Sequence, residues 1–409
     1  MDCPSARSLP CLRTLVIAAL AGCVVAKHKH NDGPKPIING DDCDCFLTNG
    51  TEPGYFAKHM FFDFRSLPQY AGVPQYVLND SQAAIAPVTS DYFASDDWNS
   101  TWQLQGWNNK DGKGHGLAAG STVLMVNSQS NVFIQKNGDK NNASATYLSM
   151  RTKRLPEFQS AAAFQSRSDD YQFISIRMLA RTIGSPGAVT AMFTYQQGSS
   201  DTSVQEADLE VLTRCPREKI QYTNQPGFKS DGSRNTEASH NITLPDTLMW
   251  SDWAVHRLDW TPQRSVWFVN GKETANISIQ VPKDASFLNF NAWSDGGSWS
   301  GNMSVYEEAS FDIQWIEMVY NSTGGDHTTE KSVSEHHKRS FGPHGQLVRR
   351  KGDNGKCKVV CSIDESPELG KTALLWNSTA ARTTGADLEG RMVWVWTLAA
   401  GSLLWYWLI

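Results

Sequence analysis

The stretch Gln205-Glu206-Ala207-Asp208-Leu209-Glu210-Val211-Leu212 alternates acidic and apolar residues. Successive side chains of a β-strand point to opposite faces, so an extended backbone puts the three acids on one face and the apolar residues between them on the other. The apolar face suits a protein core, and the acidic face suits solvent or a ligand. The segment therefore predicts a half-buried strand that presents three carboxyl groups together.

Short runs rich in β-branched and aromatic residues surround this segment, separated by Gly, Asn, Asp and Pro. The clearest runs are residues 122–126, 173–178, 188–195 and 311–320. Residues 265–269 lead into Asn270-Gly271, a pair typical of a two-residue hairpin turn. No long stretch has a helical period. Many short strands without interleaved helices predict an all-β sandwich of two antiparallel sheets.

Three carboxyl groups on one face also indicate a chemistry. Crowded carboxylates cannot all ionise freely, so at least one of them has a raised pKa. Glycoside hydrolysis needs such a split, with one carboxylate ionised at the anomeric carbon and one carboxyl protonated to donate to the leaving oxygen. A solvent-facing strand with acids by chance, or a cation site, would give the same triplet. The triplet alone leaves these alternatives open.

An ordered series of further motifs resembles glycoside hydrolase family 16, the family of laminarinases, lichenases and wall-glucan transglycosylases. The acidic triplet is similar to the family's Glu-x-Asp-x-Glu signature, and residues 171–180 and 187–195 resemble the paired strands before it. The downstream segments that resemble family elements are Trp253-Ala-Val-His-Arg-Leu-Asp-Trp-Thr-Pro262, Val266-Trp-Phe-Val-Asn-Gly271, Leu288-Asn-Phe-Asn-Ala-Trp293, Gly296-Gly-Ser-Trp-Ser-Gly301 and residues 312–320. The resemblance therefore covers most of the chain between residues 85 and 325.

The resemblance implies a concanavalin A-like β-jelly-roll sandwich with a concave substrate cleft. It also implies a retaining double displacement on β-1,3- or mixed β-1,3/1,4-glucan, with Glu206 as nucleophile, Glu210 as acid and base, and Asp208 as an assisting group. The expected sugar-binding residues are Trp253, Asn291, Trp293 and Trp299. We predict no metal site from the residues, although the family leaves room for a structural calcium.

Hydrolysis and transglycosylation share one intermediate and differ in whether water or a sugar hydroxyl resolves it. The sequence therefore leaves open a cell-wall glucan or chitin transglycosylase, and also a non-catalytic glycan-binding wall protein. The formal net charge of −5 is mild and favours neither nucleic acid nor an acidic polymer as partner. We expect a monomer that acts on a polysaccharide and meets the membrane through a lipid anchor.

Both ends of the chain resemble targeting signals. Residues 1–26 carry basic residues, an apolar run and small residues, which predicts a signal peptide. Residues 380–409 end in an apolar tail after small residues and a polar spacer, which predicts a glycosylphosphatidylinositol (GPI) anchor signal, with a transmembrane helix as the alternative. Between them we expect a family 16 domain at 27–325 and a polar linker at 326–379. The chain thus resembles a fungal-like, secreted member held at the cell surface or wall.

Nine Asn-x-Ser/Thr triplets agree with a secretory route. They begin at Asn49, Asn79, Asn99, Asn142, Asn241, Asn276, Asn302, Asn321 and Asn377.

Five cysteines remain after the signal peptide, and an oxidising compartment favours disulfides over metal sites. We expect Cys357 to pair with Cys361, and Cys43 or Cys45 to pair with Cys215. One thiol is then left over.

Overall fold

A computed structural model describes residues 34–110, 116–118, 120–140, 143–200, 203–229, 233, 235–323, 340–341, 347–348 and 357–377. The predicted signal peptide and anchor signal lie outside the described residues, as does most of the predicted linker. Within the described ranges, no helix is long and apolar enough to cross a membrane.

Strands are the main regular elements of the described chain. They are β1 (Ile37–Ile38), β2 (Cys45–Leu47), β3 (Tyr55–Phe56), β4 (Lys58–Asp63), β5 (Trp102–Leu104), β6 (Met125–Asn127), β7 (Val132–Lys136), β8 (Thr146–Arg154), β9 (Gln159–Ser166), β10 (Tyr171–Gly184), β11 (Val189–Gln196), β12 (Gln205–Leu212), β13 (Lys219–Gln225), β14 (Ser239–Thr243), β15 (Ala254–Trp260), β16 (Ser265–Val269), β17 (Lys272–Ile277), β18 (Phe287–Trp293), β19 (Glu308–Ser322), β20 (Ser340–Phe341), β21 (Leu347–Val348), β22 (Val359–Ser362) and β23 (Thr372–Asn377). The helices are short: α1 (Asp80–Ala84), α2 (Asp96–Asn99) and 3-10 turns at Gly40–Asp42, Pro68–Tyr70, Asp91–Ala94, Gln129–Asn131 and Pro245–Thr247.

The main body consists of two antiparallel layers. The front sheet has the strand order β14-β13-β12-β11-β18-β9-β5, and the back sheet has the order β7-β8-β19-β10-β15-β16-β17, with β4 also paired to β19. The layers join at one edge, where Lys153 and Arg154 of β8 pair with Ser160 and Gln159 of β9. The predicted fold class, an all-β jelly-roll sandwich of two antiparallel sheets, is confirmed.

The core lies between the two layers. On β12, Ala207, Leu209 and Val211 are buried there, as the alternation predicts. Aromatic rings fill the same space, and Trp102 packs edge-on against Phe164 with ring centroids 5.3 Å apart. Each Å² of apolar surface removed from water contributes about 25 cal/mol. A one-residue slip of β12 would move its apolar side chains to the opposite face, so the core fixes the register.

The predicted hairpin is also present. Strands β16 and β17 flank Asn270 and Gly271, whose φ angles are 48° and 78°. A type I′ turn needs positive φ at both positions, which Asn and Gly tolerate better than other residues.

A third sheet, with the order β1-β23-β22-β2-β3, covers the outer face of the back sheet. It joins the first described strands to residues 357–377, and Phe46, Phe56 and Cys361 pack against Val319 of β19. We expected a linker at residues 357–377, and for these residues the expectation is wrong. Their apolar side chains fill a second, smaller core.

Two disulfides hold this third sheet together, Cys43 to Cys361 and Cys45 to Cys357. Both predicted pairings, Cys357 with Cys361 and Cys43 or Cys45 with Cys215, are therefore wrong. The reason is the parallel pairing of β2 with β22, which brings together cysteines more than 300 residues apart. Cys215 is disulfide-bonded as well, so none of the five carries the leftover thiol.

A buried carboxylate anchors the third sheet to the back sheet. Asp364 Oδ1 accepts hydrogen bonds from Nη1 of Arg177 at 2.9 Å and from Nη1 of Arg257 at 3.1 Å. Its Oδ2 accepts a third bond, at 2.8 Å, from the backbone N–H of Asn49. The Asp364 side chain is only 4% exposed. Each guanidinium also contacts a carboxylate of the back sheet itself, and Asp364 joins both of them to the C-terminal segment.

Replacing Asp364 by Ala is therefore expected to lower the free energy of unfolding by roughly 3–5 kcal/mol, the usual cost of removing one partner of a buried ion pair. The matched control is Asp246→Ala, because Asp246 pairs with Lys272 while both side chains are more than half exposed. Exposed pairs contribute about 0–1 kcal/mol. Equal losses in the two variants, measured by denaturant unfolding, would contradict the anchoring role of Asp364.

Candidate active site

A groove with a volume of about 880 Å³ crosses the front sheet on the face that points away from the core. Its lining runs from Ser239 on β14, through Glu206 on β12 and Asn289 on β18, to Gln165 on β9. Neighbouring strands lie about 4.8 Å apart, so the floor from β14 to β9 is roughly 24 Å long. A groove of this size and shape suits an oligosaccharide better than one small molecule.

Strand β12 brings the three acids into this groove. Glu206, Asp208 and Glu210 all line it. Strand β12 pairs with β11 along its whole length without a register shift, so no bulge turns one acid away from the others. The β11 residues opposite the acids are Tyr195, Phe193 and Ala191.

The three carboxyl groups share a poorly hydrated surface. Burial, reinforced by the charge of Glu210, raises the pKa of Glu206 to about 8, and burial raises the pKa of Glu210 to about 7. The pKa of Asp208 is raised well above its ordinary value, first by burial and then by both glutamates. The groove therefore retains protons that surface carboxyl groups lose at neutral pH, which is the condition that acid catalysis by a carboxyl group needs.

Neutral donors hold two of the acids in place. The indole Nε1 of Trp299 donates to Oε1 of Glu210 at 3.0 Å. Nε2 of Gln225 donates to Oδ2 of Asp208 at 3.3 Å. Each bond favours the ionised form of the carboxyl group that accepts it, and so opposes the effect of burial on its pKa.

The lining carries acids and no basic side chain. Asp295 adds a fourth carboxyl group, whereas none of the described lining residues is a Lys, Arg or His. A groove lined by one sign of charge repels ligands of the same sign. The described lining thus offers an anionic polymer no positive charge to pair with.

Residues 123–317, which include all three acids, match the family model of glycosyl hydrolases family 16. This segment belongs to family 16. The family was inferred above from the ordered motifs, and the match confirms that inference for these residues.

Relatives of this chain are 22–24% identical to it over the residues that align. A β-glucanase of Bacillus licheniformis is 24% identical over 132 residues, which make up 32% of this chain and 51% of that protein. A xylanase/β-glucanase of Ruminococcus flavefaciens is 23% identical over 146 residues, 35% of this chain and 17% of that protein. The chain thus spans about half or less of the length of these two relatives. Among solved structures, an endo-β-1,3-glucanase from Pyrococcus furiosus aligns with 68% of this chain and 98% of its own at 14% identity, with a TM-score of 0.44.

Three of the four predicted sugar-binding residues line the family 16 groove: Asn291, Trp293 and Trp299. Asn291 and Trp293 lie two residues apart on β18, so their side chains share the face that the acids use. Trp299 lies in the Gly-rich turn that follows β18 and reaches back to Glu210.

The structure does not bring Trp253 to this site. Trp253 directly precedes β15 of the back sheet, and its Nε1 donates to Oδ2 of Asp139 at 2.8 Å. The guanidinium of Arg181 stacks on its ring at 4.4 Å from the centroid. These contacts occupy the ring face and the N–H that a sugar would need, so the prediction for Trp253 is replaced by a packing role.

Sequence reasoning missed Phe193 and Tyr195 of β11, and also two aromatic residues outside the strands, Trp107 and Phe228. Trp107 and Phe228 line the groove from loops and are 51% and 58% exposed, which is unusual for such large apolar side chains. A loop residue has no periodicity that shows where it points, so no sequence signal marked them. Asn289 could have been found, because it lies two residues before Asn291 on the same strand.

Several polar atoms of the groove have no hydrogen-bond partner among the described residues. They are Nδ2 of Asn289, Oδ1 of Asn291 and Oδ1 of Asn127, all buried. Buried polar groups are nearly always paired with protein, water or ligand. Their partners would have to come from water or a ligand that reaches these side chains.

The family resemblance left room for a structural calcium. Within the described residues, no group of three or more His, Cys, Asp or Glu side chains is placed to hold a metal ion. No ligand set for calcium is assigned.

Glu206→Gln is expected to raise Tm near pH 8 and to change it little near pH 4.5. The folded protein binds this proton more tightly than the unfolded chain does, so the wild type loses stability as the pH rises from about 4.5 to about 8. The amide does not titrate and escapes that loss. Thermal unfolding across this range measures the difference. Glu157→Gln, on an exposed turn, serves as control, and a gap in Tm that is independent of pH would contradict the prediction.

Proposed function

We propose that the groove binds a neutral β-1,3- or mixed β-1,3/1,4-glucan and hydrolyses it with retention of configuration. The observation that carries this proposal is the row of three acids on β12, which projects into a groove of oligosaccharide length. The names of two relatives, β-glucanase and xylanase/β-glucanase, support the substrate class. The absence of basic side chains from the described lining supports a neutral polymer.

In the first step, the carboxylate of Glu206 attacks the anomeric carbon and forms a glycosyl ester. The carboxyl group of Glu210 gives its proton to the glycosidic oxygen, and the C–O bond to the leaving sugar breaks. The raised pKa of Glu210 keeps this proton available near neutral pH. Asp208 lies between them, and burial together with the charges of both glutamates raises its pKa.

In the second step, the ionised Glu210 takes a proton from water, whose oxygen attacks the anomeric carbon and releases Glu206. A sugar hydroxyl in place of water would make the same protein a transglycosylase. Retention requires the two carboxyl groups to lie about 5–5.5 Å apart, whereas residues four apart on a strand have Cα atoms roughly 13 Å apart. The two glutamate side chains must therefore lean toward each other when the sugar binds.

Burial raises the pKa of both Glu206 and Glu210, whereas these roles require Glu206 to be ionised. The bound sugar favours the ionised form of Glu206. Positive charge develops on the anomeric carbon next to Glu206 in the transition state, and a nearby positive charge stabilises a carboxylate. The protons are shared by the coupled acids, so kinetics should report pKa values of the group as a whole.

We also propose that the protein is secreted and held at a cell surface or wall by a GPI anchor, as a monomeric, fungal-like member of the family. The two disulfides of the third sheet support an oxidising compartment. The sequences of the two ends and the asparagine triplets support the secretory route.

The test incubates the purified chain with laminarin, lichenan and a carboxymethylated form of the same glucan. We expect products from the neutral glucans and much slower turnover of the anionic one. Glu206→Gln and Glu210→Gln should each lower kcat by several orders of magnitude, because members of a cooperating catalytic set act as a unit. Binding of glucan without any product from the wild type would replace the enzyme with a glycan-binding protein. Longer products than the substrate would indicate transglycosylation.

An activated aryl β-glucoside of a short glucan separates the two roles. Its leaving group needs no proton, so Glu210→Gln should still release a burst of phenol, whereas Glu206→Gln should release none. A burst from Glu206→Gln and none from Glu210→Gln would reverse the two assignments.

Trp299→Phe is expected to move the basic limb of the pH profile of kcat/KM to higher pH. The lost N–H bond favours ionised Glu210, so its removal raises the pKa of the acid. A bond to a charged group is worth about 1.5–3 kcal/mol and one pKa unit is about 1.4 kcal/mol, which predicts a shift of about one unit or more. Trp293→Phe is the control, because Trp293 lines the same groove without that bond to Glu210. A basic limb that stays in place in Trp299→Phe would exclude this role for the indole.

A further inference from the structure

Strand β14 is the edge strand of the front sheet, and the floor of the groove ends there. It carries one of the asparagine triplets, Asn241-Ile242-Thr243. In the register of the sheet, Asn241 lies opposite Gln221 of β13, which lies opposite Glu210 of β12. Two strand spacings, about 10 Å, therefore separate Asn241 from the proposed acid.

Alternation along β14 places the side chain of Asn241 on the groove side. Ser239, two residues earlier, lines the groove, whereas Ile242 packs against the core. The Asn241 side chain is partly exposed, and it makes no hydrogen bond with any residue in the described part of the chain. The amide nitrogen is therefore free to carry a substituent that points along the open end of the groove.

A second asparagine triplet, the one that begins at Asn321, lies where a glycan could not be attached. Asn321 is only 4% exposed, and both ends of its amide are engaged. Its Oδ1 accepts from the backbone N–H of Ala57 at 3.0 Å, and its Nδ2 donates to the carbonyl of Tyr55 at 3.4 Å. A glycan on Asn321 would need space beside a buried amide that is already packed against the Tyr55 carbonyl, so the folded structure has no room for one there.

We propose that Asn241 carries an N-linked glycan that closes the β14 end of the groove. The donor is a lipid-linked pyrophosphate oligosaccharide of the secretory pathway. The Asn241 Nδ2–C1 bond forms, the bond from C1 to the pyrophosphate oxygen breaks, and the amide proton leaves with the lipid pyrophosphate. The Thr243 hydroxyl completes the triplet that the transfer requires.

The consequence for the groove rests on the proposed function. Sugar units bound on this side of the acids have about 10 Å of floor before they meet the glycan. A long glucan must therefore end there or leave the sheet. On the opposite side, β11, β18 and β9 continue the floor, so the limit applies to one side only.

The occupancy test uses the full chain expressed through a eukaryotic secretory route. Removal of N-glycans by peptide N-glycanase in ¹⁸O-water converts each occupied Asn to labelled Asp, which peptide mass spectrometry locates. We expect label at Asn241 and none at Asn321. An unlabelled Asn241 would overturn the proposal whether or not the protein is a glucanase.

The kinetic test compares wild type, Asn241→Gln and Asn276→Gln on polymeric laminarin and on a short laminari-oligosaccharide. Asn276 heads a triplet on β17, and its neighbours Ala275 and Ile277 face the core, so its side chain points to the far side of the sandwich. Asn241→Gln should raise kcat/KM severalfold on the polymer, lengthen the products and leave the oligosaccharide rate unchanged, while Asn276→Gln changes neither.

Equal polymer rates in the wild type and Asn241→Gln, with Asn241 occupied, would overturn the closure of the groove. No turnover by any of the three proteins, with Asn241 occupied, would instead refute the proposed function and leave the modification site standing.

Discussion

The packing of one face of β12 against the core is the constraint on which the site depends. Side chains of a strand alternate, so burial of its apolar residues forces Glu206, Asp208 and Glu210 to project together from the other face. The geometry of the strand is enough to bring the three acids together. The same packing fixes the register of β11 and β13 on either side, and with it the residues that surround the acids.

This arrangement has a thermodynamic cost, because three poorly hydrated carboxyl groups with raised pKa values destabilise the folded state as the pH rises toward 8. Stabilising features lie far from the groove. The third sheet adds a second small core, two disulfides and the buried contacts of Asp364 on the opposite side of the sandwich. Spatial separation lets the acids keep their pKa values, since the arginines bound to Asp364 lie behind the back sheet.

The sequence pattern predicted those features of the structure that depend on a few adjacent residues. The alternation of β12 and the Asn270-Gly271 turn each follow from a few adjacent residues, and both are confirmed. The ordered motifs also located Asn291, Trp293 and Trp299 in the groove. The disulfide pairings and the position of Trp107 could not be predicted in this way, because they depend on contacts between distant segments. Trp253 failed for the same reason: its motif position is that of a strand end, while its environment is set by Asp139 and Arg181 from other segments.

The strand order also makes the floor of the groove longer on one side of the acids than on the other. Strand β12 is third from the β14 edge, so two strands extend the floor on that side and three extend it to β9 on the other. The loop that carries Trp107 lines only part of the groove, and Phe228 lines it from the loop after β13. A polymer lying across the strands thus meets a shorter floor on one side of the acids and a longer one on the other, where Nδ2 of Asn289 has no hydrogen-bond partner among the described residues. The length of floor on each side of the acids is therefore a property of strand order, and the identity of the acids alone does not decide it.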